Sequence, residues 1–401
     1  MLENLKDTFE EKLKEIKKYF GVVDLKEPIS FELSEFMQET ENALQRLPSN
    51  YRELFEIKAV EHHNLFVGRQ KEFERLSNTF IDWQKERFVT CALIGEKGGG
   101  STSILNYFLH TIEDVEIIRH ELHQKIYTEN SYMTFVSSLL GAKDITSNKE
   151  LIEFVNNSEQ RRIVVLENLQ HMFLKRVDGF VAMKMLFELM SYTSKKILWI
   201  GTFTPASWNY LDKTISASNY FTSEITLTPL PYEVIKEIIL KHEGFGQYEV
   251  EYLASEQTQQ SKSYNKLSDE KKQDYLEEQL FKLIHKLSNG NISLAKLYWM
   301  RAIEGIEENH LRVGEISDLD YTFVKNLSEN YLFTLQTLLV HDGLNLQDFS
   351  IAINEPQYTC RNILMPMLEK GLLIQPNKKY NINPVIYKHI YDYLASKNFI
   401  H

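Results

Sequence analysis

The stretch Gly95-Glu96-Lys97-Gly98-Gly99-Gly100-Ser101-Thr102-Ser103 constrains this chain more than any other. It matches the phosphate-binding pattern Gly-x-x-x-x-Gly-Lys-Ser/Thr at every fixed position except the lysine, whose place Ser101 holds. Residues 87–94 before it are mostly apolar and of strand length, as buried parallel strands are. After it, Ile104, Leu105, Phe108 and Leu109 recur at helical spacing. Strand, glycine turn and helix in that order aim backbone N–H groups at an anion.

The pattern around the loop extends this reading. Apolar strand runs at 88–94, 115–122, 163–166, 197–201 and 224–227 alternate with amphipathic stretches such as 180–192. That alternation predicts an α/β fold with a doubly wound parallel sheet, whose ligands sit at the carboxyl ends of the strands. The third run, Ile163-Val164-Val165-Leu166-Glu167-Asn168, ends in a polar pair of the kind that holds magnesium in ATPases. Glu167 suits a metal-bound water. Asn168 cannot serve as a general base, because an amide takes no proton near neutral pH.

Composition bounds the partners. The 401 residues carry a formal net charge of −11, which argues against coating nucleic acid by bulk electrostatics. The two cysteines, Cys91 and Cys360, form no disulfide framework or zinc spacing, so a reducing cytosol is the expected setting. The first residues read as a charged amphipathic helix rather than a signal segment, and no apolar run is long enough to span a bilayer. His62, His63, His120 and His123 match no familiar metal-ligand spacing.

Taken together, these motifs resemble the AAA+ and STAND class of P-loop ATPases, in particular its origin-recognition and transposition-regulator branch. Residues 65–72 resemble the Val-Gly-Arg-Glu box beside the adenine, with Val67 and Gly68 at its centre. Residues 198–204 are similar to the fourth strand, where Thr202 or Thr204 would sense the γ-phosphate. Gly290-Asn291-Ile292-Ser293-Leu294-Ala295 resembles the turn into the lid helix that faces the nucleotide. The resemblance implies ATP or ADP, with magnesium, on Gly95, Lys97, Gly98, Gly100, Ser101 and Thr102, the metal held by Thr102 and Glu167.

The departures from that pattern bear on activity. Losing the loop lysine removes charge-assisted hydrogen bonds and weakens binding roughly 10- to 100-fold. Hydrolysis also needs a second-signature base and an arginine finger, and residues 207–223 contain no arginine. The expectation is a pseudo-ATPase that binds nucleotide weakly or not at all. Lys97 is the one loop residue able to replace the lost charge, and Arg161 and Arg162 are candidates for groups acting across a subunit boundary.

Four regions are expected: an amphipathic helical arm (1–60), the P-loop α/β domain (61–230), a helical lid (231–312) with a polar, mobile insertion at 252–279, and a winged-helix-like domain (313–401). The arm and the winged helix would meet a protein partner or a second copy of the chain. In the alternative reading the winged helix touches DNA through Arg361, Asn362, Lys378 and Lys379, a set too small to hold a duplex alone at physiological salt.

Overall fold

The apolar runs form five strands, β1 (Thr90–Ile94), β2 (Glu116–Glu121), β3 (Arg162–Glu167), β4 (Ile197–Phe203) and β5 (Ser223–Thr226). They pair in parallel in the order β2-β3-β4-β1-β5. In this computed structural model residues 31–55, 67–241, 248–308, 310–317 and 319–400 are described. β1, β3 and β4 are buried, and β2 is an edge strand whose sequence Glu-Ile-Ile-Arg-His-Glu suits its exposure. The chain leaves β1 for the far edge, returns through β3 and β4, and finishes with β5 on the other side of β1. The loop after β1 therefore lies where the winding direction changes, the place such sheets reserve for ligands.

Helices follow the same logic of faces. Near the N-terminal side lie α1 (Phe31–Arg46), α2 (Ser49–Leu54) and α3 (Gln70–Gln84). Next come α4 (Ser101–His110), α5 (Glu129–Leu140), α6 (Asn148–Asn157), α7 (Val181–Thr193) and α8 (Pro205–Ile215). Side chains alternate across each strand, so Cys91 and Leu93 pack with Leu76 and Trp83 of α3 and with Ile104, Leu105 and Phe108 of α4. Ala92 and Ile94 belong to the opposite layer, with Tyr132, Val136, Leu151 and Leu186 of α5, α6 and α7. Each such buried side chain contributes about 1.5–3 kcal/mol.

Beyond the sheet the chain forms α9 (Tyr232–Leu240), β6 (Glu249–Tyr252), α10 (Glu256–Gln259), α11 (Asp269–Ser288), α12 (Ile292–Ala302), β7 (Ile303–Glu307) and β8 (His310–Val313). The stretch expected to be helices around a polar insertion thus also includes a three-stranded sheet in the order β6-β8-β7. Residues 269–279 of the expected polar loop are the start of α11, whose polar residues face water while Leu276, Leu280, Phe281 and Ile284 are buried.

The last part comprises α13 (Glu329–His341), β9 (Leu344–Asn345), α14 (Leu346–Ile353), α15 (Gln357–Glu369), β10 (Leu373–Ile374), β11 (Lys379–Ile382) and α16 (Pro384–Ser396). β10 and β11 form an antiparallel hairpin, and β9 pairs antiparallel with β11 as a third strand, in the order β10-β11-β9. This part docks on the main sheet: Ser207 donates to the Val340 carbonyl at 2.7 Å, and the rings of Phe173 and His341 lie 4.7 Å apart.

The expected helix at 5–20 lies outside the described residues. The stretch after it packs on its own chain: Phe36 meets Tyr298 of α12 edge-on at 6.0 Å, and the Arg301 guanidinium lies 3.7 Å from the Phe36 ring centre. Among the described residues no helix is long and apolar enough to cross a membrane.

Candidate functional site

The glycine loop keeps the backbone shape that its sequence demands. Gly98 and Gly100 have φ of +77° and +98°, left-handed values that side-chain-bearing residues rarely adopt. Gly100 precedes α4 with no side-chain cap, which leaves the helix N-terminus open to an anion. Gly95 must be glycine for another reason: a Cβ there would stand 2.6 Å from Ser101 Oγ. The cradle is therefore present as geometry.

Its chemistry is turned inward. The Glu167 carboxylate, at the end of β3, is buried and has both oxygens engaged. Thr102 Oγ1 donates to Oε2 at 2.9 Å, and Arg119 Nε donates to Oε1 at 2.7 Å. Arg119 also donates to Asn106 Oδ1 at 2.6 Å, so its guanidinium is held across β2 and α4. A magnesium ion would need both the hydroxyl and the carboxylate that this arrangement ties together, and would meet a fixed positive charge beside them. The residues present do not fit the metal. Sequence reasoning missed Arg119, because on an exposed edge strand an arginine reads as ordinary surface.

Asn168 sits in the left-handed region at φ 61°, its N–H donating to Thr202 Oγ1 at 2.8 Å. Its amide nitrogen donates to Glu121 Oε1 at 3.0 Å. Thr202 therefore lies next to the second signature, whereas Thr204 caps α8 by accepting from Ser207 N. Arg161 and Arg162 sit at the amino end of β3, away from the loop. Arg161 lies over the Trp83 ring, and Arg162 pairs with Glu116 at 3.3 Å.

The lid turn is clamped onto the loop. Asn291 Nδ2 donates to the Lys97 carbonyl at 2.9 Å, while Ser293 donates to the Gly98 carbonyl through Oγ at 3.2 Å and N at 3.3 Å. Arg69 closes the other side, donating to the carbonyls of Gly99 at 2.9 Å and Thr228 at 2.5 Å. Gly68, φ +83°, packs so tightly on α9 that a Cβ would lie 2.1 Å from Val234. Val67 next to it is half-buried, and Leu65 and Phe66 lie outside the described residues.

The loop tip faces the C-terminal helices rather than the cradle. Lys97 Nζ is 3.7 Å from Asp342 Oδ2, and Glu96 is 4.0 Å from Lys388 Nζ. Burial pushes the Glu96 carboxyl above its ordinary value, against the pull of Lys388. Arg361, Lys378 and Lys379 line the same cleft as Lys97, and Asn362 is exposed on α15. His123 approaches Glu121 at 3.8 Å, and among the described residues no three ligating side chains gather for a metal; His62 and His63 lie outside them.

No family model matches the chain, and no curated protein matches it. Solved structures similar to it include a Walker-type ATPase of Pyrococcus abyssi, at 13% identity over 84% of this chain and 99% of that one, TM-score 0.43. The ORC1 protein of Aeropyrum pernix, in complex with DNA, is 12% identical over 82% and 95%, TM-score 0.44. The Holliday junction branch migration motor RuvB of Thermotoga maritima is 14% identical over 81% and 95%, TM-score 0.31. Such identities and scores transfer no residue roles to this chain.

Proposed function

We propose that this chain is a degenerate AAA+/STAND-type ATPase that does not hydrolyse ATP and serves as a regulatory or scaffolding subunit, meeting partners through its N-terminal helices and a C-terminal winged helix. The observation that carries the reading is the closed set Thr102–Glu167–Arg119, which occupies the metal-binding groups with an internal cation. Ser101 for lysine and Asn168 for an acid weaken the site in the same direction, since phosphoryl transfer depends on charge placed around the transition state. The α13–α16 segment, with its three-stranded sheet, supports the winged-helix assignment.

Calorimetric titration with ATP and magnesium, combined with phosphate release on the same sample, tests this. The expected result is weak or no binding and no release. In Ser101→Lys, affinity rises roughly 10- to 100-fold, the worth of one charge-assisted contact, and release stays absent because Glu167 is still tied. Phosphate release by the unaltered chain that disappears in Lys97→Ala would overturn the reading. Salt-sensitive retention of duplex DNA would instead favour the initiator or transposition-regulator alternative.

A further inference from the structure

A cleft of about 1080 Å³ separates the carboxyl ends of β2 and β3 from the β10–β11 hairpin. Glu96 and Lys97 are its link to the glycine loop, but Gly95, Gly98, Gly100, Ser101, Thr102 and Glu167 take no part in its walls. It is a separate space from the cradle, and its charge is arranged differently.

Among the described residues, two lysines inside it have no carboxylate at ion-pair distance. Lys125 Nζ reaches the carbonyl oxygens of Gln170 at 2.7 Å and His341 at 3.4 Å, with His341 Nδ1 at 3.3 Å. Lys379 Nζ stands 3.4 Å from His171 Nε2. His171 is only 3% exposed, and its Nδ1 has no hydrogen-bond partner. Burial and the neighbouring lysines hold the His171 imidazole well below its ordinary pKa, and burial lowers Lys125 and Lys379 as well.

The acids of the cleft are already engaged. Asp342 faces Lys97 at 3.7 Å and accepts from Gln170 at 3.3 Å. Asp348 accepts from Asn345 Nδ2 at 2.7 Å, and Glu121 accepts from Asn168. Lys125, Lys379, Lys378 and Arg361 thus share the cleft with carboxylates that offset only part of their charge, Asp342 and Asp348 acting on both buried lysines and Glu121 on Lys379. The hairpin tip is also strained, with Asn377 and Lys378 at φ 50° and 64°; such backbone strain in non-glycine residues gathers at ligand clamps.

We propose that this cleft binds a small phosphate-bearing ligand, with Lys379, Lys378 and Arg361 from the C-terminal side and Lys125 from the sheet side as its charge partners. Phosphate fits because it carries two charges and several acceptor oxygens for donors supplied by two walls of the cleft. The volume is at the upper end of the small-molecule range of about 300–1,000 Å³. A polymer would need a basic stripe on an open surface, whereas Lys379 is half-buried inside the cleft. Bound there, the ligand bridges the sheet and the hairpin and holds them together.

The test uses the full-length chain with EDTA present, so that no magnesium nucleotide contributes. Calorimetric titration is run with pyrophosphate and with inorganic phosphate on the unaltered chain, Lys379→Gln, Arg361→Gln and the cradle variant Thr102→Val. Pyrophosphate is expected to bind, with Kd raised at least about 10-fold in Lys379→Gln, raised less in Arg361→Gln, and unchanged in Thr102→Val. Arg361 is exposed, so Arg361→Gln keeps the test informative should Lys379→Gln fail to fold. Absence of heat with both anions overturns the proposal. So does a loss confined to Thr102→Val, which would assign the anion to the cradle. Tighter binding of a 20-base-pair duplex, weakened by the same cleft variants, would make the site a nucleic-acid surface instead. Repeating the ATP titration on Thr102→Val and on Lys379→Gln assigns any heat to the cradle or to the cleft, so either proposal can fail without the other.

Discussion

The glycine loop and the cleft beside it lie on either side of Lys97 and handle charge in opposite ways. In the cradle every strong group has an internal partner: Glu167 holds Thr102 and Arg119, and the carbonyls of Lys97, Gly98 and Gly99 accept from Asn291, Ser293 and Arg69. In the cleft, Lys125 lies against His341 and Lys379 against His171, and nearby carboxylates offset only part of their charge. The region with the recognisable motif pairs its groups internally, whereas the region with no motif gathers more basic than acidic side chains. Backbone shape and chemical competence are thus separable, because the glycines set the turn whatever charges surround it.

Breaking the closure of the cradle should produce the largest effect. Arg119→Ala leaves a buried carboxylate with one neutral partner, and stability should fall by about 3 kcal/mol in chemical denaturation. The Arg119→Leu, Glu167→Gln double variant should recover most of that loss. If Arg119→Ala is neutral, the internal cation is not what occupies the metal position, and the contrast between the two regions disappears.

A lid lysine sharpens the contrast through pH. Lys296 on α12 is buried, and burial lowers its pKa from 10.5 to about 8. Below pH 8 it is charged in both folded and unfolded chains, and the folded state bears the full cost of burying the charge. Between pH 8 and 10.5 the unfolded chain binds more protons, so stability rises with pH through this window, by at most about 3 kcal/mol. Lys296→Met should flatten that rise in denaturation curves and be more stable at neutral pH. A rise of equal size in Lys296→Met would assign it to another group.

The smallest effect concerns the clamp. Asn291→Ala removes the bond to the Lys97 carbonyl together with the cap of α12, whose first-turn N–H groups at Ser293 and Leu294 it accepts. A loss of about 1–2 kcal/mol is expected, with faster hydrogen exchange at residues 97–100. Unchanged exchange there would mean that the lid does not restrain the loop.

Much of the architecture was legible because parallel strands are apolar runs of fixed length. Residues 163–166 and 197–201 lie within β3 and β4, which extend slightly beyond them. The short β6 and β8 escaped, since Glu-Val-Glu-Tyr and His-Leu-Arg-Val are too brief and polar to stand out, and they pair across some sixty residues of chain. The glycines announced the loop, but Arg119 did not announce itself: its meaning depends on the register that sets it opposite Val165, within reach of Glu167. The cleft was invisible for the same reason, since Lys125 and Lys379 meet only when the C-terminal helices dock on the sheet.

The position of α1 has a mechanical consequence. Glu39 on this helix accepts from Arg301 at 2.7 Å and from Ser317 at 3.0 Å, while Met37 Sδ accepts from Asn383 Nδ2 at 3.8 Å at the start of α16. One rod is thus fastened at once to α12 behind the lid turn and to the base of the last helix. A movement of the lid away from the loop cannot be a simple hinge at Leu230, because α12 must first slip its fastening to α1 or drag the C-terminal helices along. The stiffness of the loop is set from the far side of the molecule, and a partner that gripped α1 would hold the lid without touching it.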